Sequence, residues 1–472
     1  MNPKILASLV LISTCTQAAP IDDPLGEKAG GDTTVYATGR NAFSFPAANL
    51  NDVERTRFVI GNSFFKRNWV QAPASTKARD GLGPHFIARS CGGCHVNDGR
   101  GAPPEAGQQP VGLLIRLSIP GIGAQGGIVP EPTYGNQFNN AAVQNVKPEG
   151  KVDIVYTEVR GSFADGTAYV LQQPSYRFRD LGYGPMAQNV LVSPRIAPQI
   201  IGVGLLEAIP EAEILRNARE QAAGKGHING PIKGVPNRVW DAPSGQMILG
   251  RFGWKANVAT IAHQTAGAFN GDIGITSSVF PNEDCTAAQA DCQAAPRGSQ
   301  GKTPGKAAEI DDKTYGDVVF YQATLAPPAR RAPNDAQVLR GQKLFAEAQC
   351  ATCHRPSYVT TASPNPQFSS PALNDQRIHP YTDLLLHDMG EGLADGRPDG
   401  LANGRQWKTP PLWGVGLIHD VNNHNRLLHD GRARGVLEAI LWHGGEAEAS
   451  RNQVMKMAKG ERDALVKFVE SL

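Results

Sequence analysis

The chain has 472 residues, enough for two or three domains with sizeable cores. Its 46 Lys and Arg nearly balance 44 Asp and Glu, leaving a net charge of +2 and no basic block, which excludes nucleic-acid binding driven by charge. With 52 Gly and 35 Pro, much of the chain should be loops and short elements.

Taken from the start, Lys4 gives a minimal positive region, Ile5 to Ile12 an apolar run, and Ala18 or Ala19 a cleavage point. Residues 1–19 therefore read as a signal peptide, and the chain as exported to the periplasm. The run is too short to span a bilayer, and no later segment reads as a stable membrane span. Cys15 offers a lipoprotein alternative. Asn51 to Trp69 has helical spacing, with Val53, Arg57, Ile60 and Phe64 near one face. Asp80-Gly81-Leu82-Gly83-Pro84 is a turn leading to Ser90-Cys91-Gly92-Gly93-Cys94-His95.

Two cysteines three apart with a histidine directly after them form the c-type haem attachment pattern. Each thiol adds across one vinyl group, and the imidazole coordinates the iron. Cys91, Cys94 and His95 recur as Cys350, Cys353 and His354. Phe86 and Phe345 each stand five residues before the first cysteine, which predicts a helix running into each site. The reading is two covalent c-type haems. A zinc site built from both cysteine pairs is the alternative, but the pairs lie about 260 residues apart, far beyond ribbon spacing. Cys285 and Cys292 remain, seven apart, and in an oxidising compartment are expected to form a disulfide.

Between the haem motifs, Val111 to Ile119, Val152 to Arg160 and Thr167 to Gln172 read as strands, the last two joined by a turn at Ala164-Asp165-Gly166. Glu211 to Ala223 reads as a helix, 225–250 as loop, Ala256 to Gln264 as a helix and Tyr315 to Ala323 as another. Asn334 or Asp335 caps a helix through Val338, Gly341 and Phe345. Val436 to Trp442 and a last helix with Leu465, Phe468, Val469 and Leu472 on one face complete the chain.

Asp80 to Pro84 before the first motif, the block Phe252 to Phe280 and the run Tyr381 to Glu448 resemble the bacterial di-haem oxidoreductase family, whose members are labelled peroxidases or thiol oxidoreductases. More distantly the chain is similar to di-haem cytochrome c peroxidases and to the di-haem enzymes that oxidise tryptophans in methylamine dehydrogenase. The resemblance implies a reactive N-terminal haem, an electron-transfer C-terminal haem and a tryptophan between them. Trp254 and Gln264 fall ten apart, as the relatives' tryptophan and pocket glutamine do. Asn270-Gly271-Asp272 resembles their Asn-Pro-x-Glu segment, but the acid is Asp and comes two residues early. No histidine lies between His95 and His227, so the first haem is left open or ligated from a distance, His263 being one candidate. For the second haem, His443 stands where the relatives place a distal ligand, with Met389, Met455 and Met457 as alternatives. The relatives also hold a calcium ion, whose ligands are not evident here.

The expected roles follow. Asp272 moves the proton of bound peroxide, Gln264 orients it and Trp254 relays electrons, or else these are a turn residue, a surface amide and a core indole. Arg100, Lys408, Arg405 and Arg432 are candidates for the haem propionates, and Trp407, Trp413 and Trp442 for packing on haem. His85 either lines a haem edge or is an ordinary hydrogen-bonded histidine. The expected fold is mainly α, with two cytochrome c-like haem domains, 20–326 and 327–472, and a β-rich insertion. The expected function is an exported di-haem peroxidase-type oxidoreductase exchanging electrons with a small redox protein. A non-catalytic electron carrier and an oxygenase acting on an organic substrate are the other readings.

Overall fold

The computed structural model describes residues 23–224, 232–298 and 308–472. The signal-like stretch 1–19, Cys15 and most of the linker 296–306 lie outside the described residues. The fold is mixed: 32 % of the chain is helical and 18 % strand, in several small sheets. This corrects the expectation of a mainly α protein with cytochrome c-like domains. The physical reason lies at the attachment motifs. Cys91–Cys94 forms a single α-turn and Cys350–Thr352 a 3-10 turn, while much of the chain between them goes into strands and loops.

The helix Asp52–Lys66 is started by a reciprocal cap, in which Asn51 accepts from the Glu54 amide and Glu54 from the Asn51 amide. It buries Phe58, Gly61 and Phe65, not the face that spacing suggested; Val53 is 80 % exposed. Gly61 explains the shift. A Cβ there would lie 2.1 Å from the Asp317 carbonyl oxygen, so Gly61 lets the helix pack directly on the buried helix Asp312–Ala323. Gly341 does the same where Ala336–Glu347 crosses the last helix, Lys459–Ser471: a Cβ would lie 2.0 Å from the Ala464 carbonyl oxygen. Leu465, Phe468, Val469 and Leu472 are buried as their spacing predicts.

Leu113–Ser118 is the central strand of a three-stranded sheet, flanked by Gln137–Phe138 and Leu191–Ile196. Lys151–Ser162 and Ala168–Arg179 form a separate hairpin of twelve paired residues, turning at Ala164 to Gly166. Its tip reaches the C-terminal part of the chain. The Ala164 amide donates to the Met455 carbonyl at 3.0 Å, and Arg462 to Asp165 at 2.9 Å. Phe163 and Leu171 enter an apolar cluster with Trp254, Leu393, Trp407, Leu441 and Trp442. The hairpin is thus a clasp between the two ends of the molecule.

Other elements depart from expectation. Within 225–250, read as loop, Arg238–Asp241 pairs with Gln246–Leu249. The helix expected at Ala256 starts at Ile261, because Thr260 caps it, and continues through Phe269–Ile273 as a π-turn. Cys285 and Cys292 are joined, with Cα atoms 5.8 Å apart.

Candidate functional site

The two cysteine pairs line different cavities. Cys91, Cys94 and His95 line one of about 430 Å³. Cys350, Cys353 and His354 line another of about 180 Å³. A zinc ion shared between the pairs is thereby excluded. Burial pushes the Cys91 and Cys350 thiols up to about 12 and raises those of Cys94 and Cys353. These are neutral thiols in apolar walls, not the exposed thiolates of reactive cysteines.

Three imidazoles share one hydrogen-bond pattern. His95 Nδ1 donates to the Pro198 carbonyl at 2.8 Å, His354 Nδ1 to the Tyr381 carbonyl at 3.0 Å, and His443 Nδ1 to the Ala439 carbonyl at 2.6 Å. A carbonyl only accepts, so each Nδ1 carries the proton and each Nε2 keeps its lone pair. That is how a metal-ligating histidine is oriented from behind. Burial lowers the proton affinity of all three, and His354 falls to about 4, with nearby His443 lowering it further. His354 and His443 line the same cavity. Met389 lines that cavity too, whereas Met455 and Met457 do not.

An aromatic ring backs each motif histidine. Phe345 lies 6.3 Å from His354, on its lead-in helix as expected. At the first site the ring is Phe65, 6.2 Å from His95, from the helix Asp52–Lys66. Phe86 instead sits in a two-residue strand paired with Ala141, and no helix leads into Cys91.

Trp254, Gln264, His263 and Asp272 all line the first cavity. Asp272 lies in the π-turn, a helix distortion common at functional sites. Its backbone carbonyl accepts from the Ile87 and Ala88 amides, tying it to the segment before Cys91. Its carboxylate accepts from Gln137 Nε2 at 3.0 Å and faces Arg116 at 4.0 Å. Burial raises the Asp272 carboxyl above its ordinary value, and Arg116 and Gln137 pull it back in part. His263 Nδ1 faces Asp241 at 3.5 Å and its ring packs on Phe280.

Arg116 and Gln137 escaped the sequence reading. They come from the sheet taken as an insert, and they are register partners across two strands. Only pairing brings them together; alternation of polar and apolar residues along Leu113–Ser118 was the single available hint.

The cavities share a wall. Arg100, Gln199, Trp254, Lys408, Pro410 and Pro411 line both. Trp254 Nε1 donates to the Ile196 carbonyl at 2.7 Å. Arg100 is engaged by the Arg426 and Leu428 carbonyls rather than free for a propionate. Arg432 is bound to Asp430 and the Gly392 carbonyl, and Arg405 to Asp388 and Glu391. Lys408 is different: it is buried in the shared wall, and among the described residues its ammonium has no hydrogen bond or close ion pair, with Asp383 acting on it only from a distance. Burial lowers its ammonium to about 8. Arg397, in the wall of the first cavity, binds Asp399 and the Leu117 carbonyl through its terminal nitrogens, and its Nε is buried without a partner among the described residues.

Of the remaining candidates, Trp407 lines the second cavity and stacks on His429 at 3.8 Å, while Trp413 is sealed in the main core. His85 lines neither cavity and bonds Lys147 and Tyr183. Cys353, Asp383 and His387 form the one grouping of metal-ligand atoms among the described residues. A thiol, a carboxylate and an imidazole do not suit calcium, which takes six to eight oxygens.

A family model described as "di-haem oxidoreductase, putative peroxidase" matches residues 25–117 and 151–472. The chain belongs to the di-haem oxidoreductase family. No curated protein and no solved structure matches it. The family's name implies two haems, and the residues of this di-haem oxidoreductase fit them. Each cavity is lined by a cysteine pair and an imidazole with a free Nε2, and the buried Lys408 ammonium stands in the wall they share, where a carboxylate of a ligand would meet it. No helix among the described residues is long and apolar enough to cross a membrane.

Proposed function

We propose that this di-haem oxidoreductase is an exported c-type peroxidase. The observation that carries the reading is the asymmetry of the cavities. The second pairs His354 with His443, two imidazoles with free Nε2 atoms. The first sets His95 against Asp272 and Gln264, and its other histidine, His263, is turned to Asp241 at 3.5 Å.

Cys91, Cys94 and His95 would hold one haem, and Cys350, Cys353, His354 and His443 the other. When bound, the haems supply the iron that cleaves the O–O bond and the two redox centres that deliver electrons. The protein does the rest. Asp272 takes a proton from one peroxide oxygen and returns it to the departing one, so that peroxide, two electrons and two protons give two waters. Its burial above the ordinary carboxylate range suits both halves of that transfer. Gln264 orients peroxide through its amide. Lys408 would offer a cation to a propionate, and Arg397, whose terminal nitrogens already bind Asp399 and the Leu117 carbonyl, only its Nε. Trp254, in the shared wall, couples the two cavities, and a small redox protein donates electrons at the second. Calcium forms no part of the reading.

Cyanide binding and peroxide turnover test this. The reading expects cyanide to perturb the spectrum of one haem of the two and hydrogen peroxide to be consumed with a reduced redox protein. Two haems that are both indifferent to cyanide and peroxide would leave only an electron carrier.

A further inference from the structure

We propose that cations fixed over the tryptophans beside the two cavities keep those indoles reduced, so that charge crosses the shared wall without coming to rest on a ring. This deepens the peroxidase reading, which supplies the oxidant, by naming what protects the electron path.

The chain has six tryptophans. Trp254, Trp407 and Trp442 share one apolar cluster at the cavities. Each carries a cation over its ring: Arg100 at 5.1 Å from Trp254, Lys255 at 4.4 Å from Trp407 and Arg432 at 4.8 Å from Trp442. Trp69 and Trp413, in the main core, and Trp240, on an outlying strand, have no such cation among the described residues. Trp254 and Trp407 line the cavities, and Trp442 directly precedes His443, which lines the second.

The cations are held in place. Lys255 is fully buried, and its Nζ donates to Asp395 at 2.7 Å and to the Arg397 and Asn403 carbonyls at 2.7 and 2.9 Å. Burying an ammonium is costly unless it is fully bonded, as this one is. Arg432 is bound to Asp430 and the Gly392 carbonyl, and Arg100 to two carbonyls. None can swing off its ring without breaking these bonds.

A cation over an indole face is attracted by the neutral ring's quadrupole. Loss of an electron turns that attraction into repulsion between two positive charges in a low-dielectric interior. The indole N–H groups add to the effect. Trp254 donates to the Ile196 carbonyl, Trp407 to the Leu393 carbonyl, and Trp442 Nε1 is buried without a partner. Among the described residues none of the three indole N–H groups donates to a carboxylate or imidazole, and His429 lies face to face on Trp407 rather than at its N–H, so an oxidised ring would keep its positive charge beneath the cation.

The test uses the haem-loaded protein with photoexcited tris(bipyridine)ruthenium and persulfate. The indole gives one electron to ruthenium(III), which returns to ruthenium(II). Persulfate takes electrons and ends as sulfate. Dissolved O₂ adds to the indole radical, leaving hydroxytryptophan or kynurenine, mapped by peptide mass spectrometry at all six tryptophans. Arg100→Gln is expected to raise modification of Trp254 at least about tenfold, with Trp407 unchanged. Arg100→Lys, which keeps the charge, is expected to restore protection; mere loosening of the wall would not be rescued so. Arg432→Gln and Arg432→Lys read the same effect at Trp442 if Arg100→Gln does not fold. Unchanged Trp254 in folded Arg100→Gln, or equal modification in the Gln and Lys variants, would overturn the proposal. The same map after hydrogen peroxide separates the two ideas: protection seen with ruthenium but no reaction with peroxide would sink the peroxidase reading alone.

Discussion

Arg116 and Gln137 are register partners across two antiparallel strands, and both side chains turn to one acid, Asp272. Gln137 lies outside the stretch that matches the family model, and Arg116 at its edge. The acid of the first cavity is therefore positioned partly by a residue, Gln137, outside the matched family pattern.

Asp272→Asn should lower peroxide turnover by roughly 100-fold or more, the usual weight of a positioned acid–base group. It should also stabilise the protein. Burial lifts the folded carboxyl above its ordinary value of 3.8. The stability linked to Asp272 is thus full below the unfolded value and is lost as pH rises through the folded one. Asparagine never ionises, so at pH 7 the variant should unfold at a higher temperature than wild type, and at pH 3 the gap should close. Thermal denaturation at both pH values, beside turnover, checks this. An equal or lower midpoint at pH 7 would contradict it.

Much of this was legible in the sequence, and the reason is locality. Cys91, Cys94 and His95 sit within five residues, so spacing alone reveals their chemistry. The face of Asp52–Lys66 was misread because its central contact is Gly61, a residue with no side chain to count. Phe86 was expected on a helix running into Cys91, yet the carbonyl of Asp272 pins the segment after it, and the ring beside His95 is Phe65 from the helix Asp52–Lys66. Arg116 and Gln137 meet only through strand pairing, and the burial of Lys408 in the wall of both cavities shows only in the folded chain. Such relations need three dimensions.

His443→Ala should convert one low-spin haem to a high-spin or water-accessible one. Met389→Leu should leave the spectrum unchanged, although Met389 lines the same cavity. Absorption and magnetic circular dichroism distinguish them. A sulfur-to-iron charge-transfer band lost in Met389→Leu would move the distal ligand from His443 to Met389.

The hairpin clasp should carry measurable stability. Phe163 is 5 % exposed, Arg462 lies 3.9 Å over its ring, and the same Arg462 binds Asp165. Phe163→Ala should cost about 3 kcal/mol, as large-to-small changes in a core do. Arg462→Ala should cost less, because its bonds to the exposed Asp165 and the Met457 carbonyl can be replaced by water. Urea denaturation followed by circular dichroism measures both, and a cost below 1 kcal/mol for Phe163→Ala would show that the clasp is not part of the cooperative core.

The most direct test of the asymmetry between the cavities is electron paramagnetic resonance of the oxidised wild-type protein before and after one equivalent of hydrogen peroxide. The account predicts two ferric species, one high-spin at the His95 cavity and one low-spin with two imidazole ligands, and predicts that peroxide depletes the high-spin signal first. Two low-spin signals that peroxide leaves untouched would contradict it.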